Sequence, residues 1–178
     1  MKFTETKLKG AFIITPHLIE DERGFFARTF CRHEFEDHGL NPNLVQCNIS
    51  FNKAKGTLRG MHYQAAPHGE VKLVRCTAGA IYDVIIDLRP ESPTLKKWFS
   101  TQLSAINHQM LYVPEGFAHG YQTLAQQTEI FYQVSAFYHP ASERGIRWND
   151  PAFAIEWPLS ITAVSKKDAA YPDWEASL

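Results

Sequence analysis

Lys72-Leu73-Val74-Arg75-Cys76-Thr77, then Ala78-Gly79, then Ala80-Ile81-Tyr82-Asp83-Val84-Ile85-Ile86-Asp87-Leu88 is the stretch that sets the fold class. Its two halves are rich in β-branched residues and the small pair between them is a turn signal, so it reads as a β-hairpin. Val84, Ile86 and Leu88 share one face of the second strand. Downstream, Lys97 to Leu103 alternates, with Trp98, Ser100 and Gln102 opposite Phe99, Thr101 and Leu103. Met110 to Val113 is a short strand ended by Pro114. Glu129 to Tyr138 puts Ile130, Tyr132, Val134, Ala136 and Tyr138 on one face. Upstream, Leu44 to Phe51 reads as a strand carrying Gln46 and Asn48, and Lys53 to Gly56 is a turn. Phe25 to Phe30 and the segment from Ala11 to Ile14 complete the strands, with Asp21-Glu22-Arg23-Gly24 as a polar turn.

Helical patterns are few. Arg32 to His38 is a short helix with Phe35 and Leu40 inward and Gly39 as its stop. Ser165-Lys166-Lys167-Asp168 is a second, single-turn hint, and its Ser-x-x-Asp spacing fits a helix cap. Many short strands with turns between them make this an all-β chain, a sandwich or small barrel; jelly rolls close in this way and leave a cavity at the barrel mouth.

A length of 178 residues fits one domain over 1–178 and buries about 70% of the unfolded surface, enough to fold without disulfides or metal. The formal net charge of −1 argues against a nucleic-acid-binding surface, so anionic ligands must be held by local Arg and Lys residues. Three cysteines, an odd number with no Cys-x-x-Cys pair, fit a reduced cytoplasmic protein. The N-terminal residues lack the apolar run of a signal peptide, and no apolar stretch has the length of a membrane span.

Chemistry concentrates first in Thr57-Leu58-Arg59-Gly60-Met61-His62-Tyr63-Gln64. Arg59 is a fixed cation with a planar fork of donors, suited to phosphate. His62 is the side chain best able to exchange a proton near neutral pH. Strict alternation would put the two on opposite faces; a bulge or strand end at Gly60 would bring them to one pocket. A strand with a surface Arg and a hydrogen-bonded His is the ordinary alternative. The second segment, Pro114-Glu115-Gly116-Phe117-Ala118-His119-Gly120, resembles the second motif of the cupins, small jelly-roll barrels. Metal-binding cupins carry a His-x-His pair in the first motif, where this chain has His62-Tyr63-Gln64. His62, Glu70 and His119 are the donors that would have to converge on a metal, and the expectation is that none is bound.

Seven segments carry a more specific resemblance: Asp21 to Phe26, Leu58 to Gln64, Lys72 to Cys76, Asp87-Leu88-Arg89 with Ser92-Pro93-Thr94, Pro114 to Gly120, and Ser165 to Ala170. In order and spacing they are similar to the dTDP-4-dehydrorhamnose 3,5-epimerase family of metal-free cupins. The resemblance implies a cupin-type jelly roll and epimerisation beside a ketone, on dTDP-4-dehydro-6-deoxy-D-glucose at C3 and C5. No cofactor is implied, because the C4 ketone already activates both protons. The resemblance assigns His62 as base, Asp168 as the carboxylate that orients it, Tyr132 as the acid on the opposite face and Lys72 as the cation for the enolate oxygen. It carries over Arg23, Gln46, Asn48, Arg59, His119, Glu143 and Lys167 as substrate contacts, with Phe25 and Tyr138 flanking the base of the nucleotide. It also implies a homodimer in which the N-terminal strand is exchanged and the Arg23 segment reaches the neighbouring pocket.

Ordinary roles stand beside these: a satisfied core histidine for His62, a core tyrosine for Tyr132, a helix cap for Asp168 and a solvated strand residue for Lys72. The chain departs from the family pattern twice. Where relatives often read Phe-Phe-x-Glu, this chain has Phe25-Phe26-Ala27-Arg28, so a nucleotide contact at Arg28 has reversed charge. Cys47 stands where many relatives have Asp. Both leave the nucleotide open, and with it a relative acting at one carbon or on another nucleotide's keto sugar. A metal-dependent cupin and a non-catalytic sugar-binding cupin are the rivals from other classes.

Overall fold

Gly79 joins two strands that lie in different sheets. The computed structural model describes residues 1–174; the last four residues of the expected 1–178 domain lie outside the described part. In it β7 (Lys72–Ala78) pairs with β10 (Met110–Val113) and β12 (Thr128–Val134), whereas β8 (Ala80–Asp87) pairs with β11 (Phe117–Thr123) and β9 (Trp98–Ser104). The expected hairpin is therefore a corner between sheets. The Ala78-Gly79 signal marks a change of direction, and Gly79 takes it at φ +74, but a turn signal does not say whether the second strand returns to the same ladder.

The remaining elements are β1 (Lys2–Glu5), β2 (Phe12–Thr15), β3 (Leu18–Asp21), β4 (Gly24–Ala27), α1 (Arg32–Asp37), β5 (Gln46–Asn52), β6 (Leu58–Gln64), β13 (Glu143–Gly145) and α2 (Lys166–Ala169). They complete a six-stranded sheet in the order β1-β2-β10-β7-β12-β5 and a five-stranded sheet in the order β13-β6-β11-β8-β9, every pairing antiparallel. β3 and β4 form a separate hairpin. This is the cupin-type jelly roll expected from the sequence.

The apolar core fills one end of the space between the sheets. Val74, Leu111 and Ile130 from the six-stranded sheet meet Ile81, Ile85, Leu103 and Phe117 from the five-stranded one. Phe35 of α1 is fully buried and, with Leu40, covers part of the outer face of the six-stranded sheet against Leu73, Met110 and Tyr112. The outer face of the five-stranded sheet, with Val84, Ile86 and Leu88 as read from the sequence, is covered by Phe153, Trp157 and Trp174.

β5 is built the other way round. Its inward face carries Gln46, Asn48, Ser50 and Asn52, while Cys47, Ile49 and Phe51 are exposed. A strand with polar residues inside and apolar residues outside lines a cavity on one face and leaves an unpartnered surface on the other. Two strands are shorter than expected: the Phe25 strand ends at Ala27, and β12 leaves the ladder after Val134, where Ser135 exchanges hydrogen bonds with Val71. No helix among the described residues is long and apolar enough to cross a membrane.

Candidate active site

The open end of the barrel is shaped by a bulge at Gly60. In the β6–β11 ladder His62 pairs with His119 and Arg59 with Tyr121, so three steps on β6 match two on β11. Gly60 has φ +132, and a Cβ on it would lie 2.5 Å from Gly120 Cα, so only glycine fits. The extra residue brings Arg59 and His62 into the wall of one cavity, which strict alternation forbids.

Two cavities, of about 370 and 150 Å³, share His62, Lys72 and Tyr132 and are compartments of one cleft. Gln46, Asn48, Gln64, Glu70, Tyr138 and Glu143 line the larger. Ser50, Arg59, His119 and Tyr121 line the smaller. His62 stands on the five-stranded sheet and Lys72 and Tyr132 on the six-stranded one, so the cleft has a different chemical group on each wall.

Asp168 comes from α2, far along the chain, and its Oδ1 accepts from His62 Nε2 at 2.8 Å. The other oxygen accepts from the Gly60 N–H at 3.2 Å. The expected helix cap is also present, because Ser165 Oγ accepts from the Asp168 N–H at 2.9 Å. The cap uses the backbone of Asp168 and leaves its carboxylate for His62, so the residue makes both contacts at once. Burial pushes the Asp168 carboxyl up, but the hydrogen bond and charge of His62, with the Gly60 N–H and Ser165, outweigh burial and hold it below the usual carboxylate range. An anionic Asp168 fixes Nε2 as the protonated nitrogen of His62 and leaves Nδ1 as its basic nitrogen.

Burial raises Tyr132 above the ordinary phenol range, with the Glu70 charge adding to it, so the side chain keeps its proton near neutrality. Lys72 Nζ lies 2.9 Å from Glu70 Oε1, both side chains 11% exposed. Arg59 is held by Asn52, whose Oδ1 accepts from Nε at 2.8 Å. His119 Nε2 meets Asp83 Oδ1 at 2.7 Å, and both residues are buried. Glu70 is likewise engaged by Lys72, and among the described residues no group of His, Cys, Asp and Glu is arranged to hold a metal ion. At the rim the Tyr138 hydroxyl donates to Glu143 Oε2 at 2.7 Å and the Lys167 ammonium to Oε1. The Lys167 hydrogen bond holds the Glu143 carboxyl below its usual range despite burial.

Three expected contacts lie elsewhere in this chain. Arg23 caps the β3–β4 turn and pairs with Asp21 in solvent. Phe25 packs on the His108 ring and is half exposed. Arg28 pairs with Glu34 of α1 at 3.0 Å. All three belong to the separate hairpin or the segment just after it, which contributes no residue to either compartment of the cleft. Conversely, Ser50, Asn52, Asp83 and Tyr121 serve the cleft without having been singled out. The period-2 continuation from Gln46 and Asn48 points to Ser50 and Asn52; no local pattern marks Asp83.

The model of the dTDP-4-dehydrorhamnose 3,5-epimerase family matches residues 5–176. The chain belongs to this family. The dTDP-4-dehydrorhamnose 3,5-epimerase of Salmonella typhimurium is 44% identical over 170 residues, covering 94% of this chain and 92% of the relative. The crystal structure of the epimerase from Bacillus anthracis, with TDP and PPi bound, superposes with a TM-score of 0.94 at 42% identity, covering 97% of this chain and 98% of that one. The Legionella pneumophila enzyme in complex with dTDP-4-keto-L-rhamnose gives 0.90 at 39% identity over 96% of this chain and 90% of that one. The epimerase reading of the sequence is borne out at the level of family, fold and enzyme type.

Proposed function

We propose that the protein epimerises dTDP-4-dehydro-6-deoxy-D-glucose at C3 and C5 through an enolate, as one epimerase domain. The observation that carries this reading is the His62–Asp168 pair and Tyr132 on opposite walls of the same cleft. Protons on C3 and C5 flank the C4 ketone and are acidic enough to be taken by a positioned base. His62 Nδ1 takes the proton, and Asp168 stabilises the imidazolium that forms. The charge that develops on the C4 oxygen is met by the Lys72 ammonium. Tyr132 returns a proton from the other wall, which inverts the carbon; proton exchange with solvent then restores the neutral imidazole and the phenol before the second carbon reacts. Gln46, Asn48, Arg59, His119, Tyr138, Glu143 and Lys167 then hold the sugar and nucleotide diphosphate.

Arg23, Phe25 and Arg28 reach a cleft in this account only in a second copy. The exposed apolar face of β5 and the hairpin residues Ile19 and Phe26, 59% and 70% exposed, support a homodimer with the N-terminal hairpin exchanged. Arg28 would then face the partner's nucleotide with a positive charge. The free cysteines Cys31, Cys47 and Cys76 support a reducing cytoplasmic setting.

A coupled assay tests the reading: the keto sugar is supplied with the protein and a stereospecific reductase that accepts only the L-configured product. Formation of an L-rhamnose nucleotide that requires this protein is the expected result; reduction products of the D-configuration alone would defeat it.

A further inference from the structure

Tyr171 touches the base from behind. Its ring meets the His62 imidazole edge to face, with centroids 5.8 Å apart and planes at 68°. It does not line either compartment of the cleft. Gly145 pairs with His62 in the β13–β6 register, and it leaves the space the phenol ring occupies: a Cβ on Gly145 would lie 2.3 Å from Tyr171 Cζ. Gly145 is thus required by space for this ring.

The segment that carries Tyr171 is fixed on both sides. α2, with Asp168, ends just before it. After it, Pro172 O accepts from the Arg147 N–H, Asp173 pairs with Arg147 at 2.8 Å, and the Trp174 N–H donates to Asp150 at 2.6 Å. The Tyr171 hydroxyl is buried beside Lys167, and burial raises it above the ordinary phenol range. It is the ring that meets His62.

We propose that Tyr171 is a positioning residue for the proposed epimerisation, holding the His62 imidazole in the plane where Nε2 meets Asp168 and Nδ1 is left for the substrate. This rests on the reading of His62 as the base. Among the described residues the hydrogen bond to Asp168 fixes the distance of one ring atom but leaves the tilt of the ring free. A side chain 34% exposed to a cleft needs a second contact to stop that tilt. Reacting groups must be held to within about 0.5 Å and 10–20°, and a displacement of about 1 Å lowers turnover about 100-fold.

The test compares Tyr171→Ala, Tyr171→Phe and Gly145→Ala with the wild type, with folded fraction measured for each. Tyr171→Ala is expected to lower kcat about 10- to 100-fold with KM changed less than about three-fold. Tyr171→Phe recovers most of that loss. Gly145→Ala, which leaves the tyrosine in place and forces its ring to shift, lowers kcat comparably. The double variant Gly145→Ala/Tyr171→Ala is no worse than Tyr171→Ala, because removing the ring makes room for the methyl group. A readout without substrate separates this inference from the epimerase reading: by NMR, the His62 Nε2–H exchanges slowly with solvent in the wild type and Tyr171→Phe, and faster in Tyr171→Ala and Gly145→Ala, where the tilting ring weakens the hydrogen bond to Asp168. Unchanged kcat per folded molecule in Tyr171→Ala and Gly145→Ala, or equally slow exchange of the His62 Nε2–H in every variant, would overturn the proposal. A wild type that turns over no substrate would defeat the epimerase reading and leave the NMR result to decide the role of Tyr171.

Discussion

His62 and Tyr132 face one cleft from opposite sheets, the histidine on β6 of the five-stranded sheet and the tyrosine on β12 of the six-stranded one. A proton can therefore leave a bound sugar toward one wall and return from the other.

This arrangement separates the effects of the two residues. His62→Ala is expected to abolish deuterium uptake from D₂O at both carbons, with kcat lowered about 100- to 10,000-fold. Tyr132→Phe leaves the base in place, so deuterium enters recovered substrate without inversion while product formation falls. Mass spectrometry and NMR of recovered substrate and product distinguish the two patterns; loss of exchange and inversion together in Tyr132→Phe would contradict the assignment of the acid.

Gly60→Ala introduces a Cβ against the backbone of Gly120 at a residue with φ +132. The expected loss is about 3 kcal/mol or more, from clash and backbone strain together. Urea denaturation reads the stability. In whatever fraction folds, turnover also falls, because the bulge sets both Arg59 and His62.

The hairpin's role can be tested by complementation. Arg23→Ala and His62→Ala proteins are each expected to have low activity. In a heterodimer, the subunit with intact His62 receives the intact Arg23 of the other copy. Unfolding and refolding the two together is therefore expected to restore up to about a quarter of wild-type activity, from half of the dimers with one working site each. Activity no higher than the sum of the separate proteins would rule out the exchanged hairpin.

Asp87 gives a stability prediction independent of catalysis. It is fully buried; burial raises its carboxyl, but Arg89, Ser92 and Thr94 donate to it and bring it down to about 2. A folded-state value below the unfolded value near 4 means stability that is present above about pH 4 and lost as pH falls toward 2. The size is about 2 kcal/mol. Asp87→Asn is expected to lose about that much at pH 7 and to show a flatter loss between pH 4 and 2, measured by denaturation at a series of pH values.

Much of this molecule was legible in the sequence because its signals are local. Alternation in Glu129 to Val134, the turn at Lys53 to Gly56 and the helix around Phe35 depend on a few neighbouring residues. The bulge at Gly60 was legible as a condition for Arg59 and His62 to share a pocket. Ladder membership was not: β7 and β8 are joined by a turn-like pair yet enter separate sheets, because their partners lie far along the chain. The Asp83–His119 pair and the Tyr171–His62 contact were invisible for the same reason, since each joins elements that meet only after the barrel closes. Arg23, Phe25 and Arg28 were read as substrate contacts, and this chain alone places them away from its own cleft.

Proton NMR in D₂O with the wild-type protein and dTDP-4-dehydro-6-deoxy-D-glucose reads the epimerisation itself, carbon by carbon. The wild type is expected to give enzyme-dependent deuterium at both C3 and C5, and His62→Ala to stay at the level of the blank. Deuterium at one carbon alone would contradict the 3,5-epimerase assignment in favour of a single-carbon enzyme, and exchange that persists in His62→Ala would contradict the assigned base.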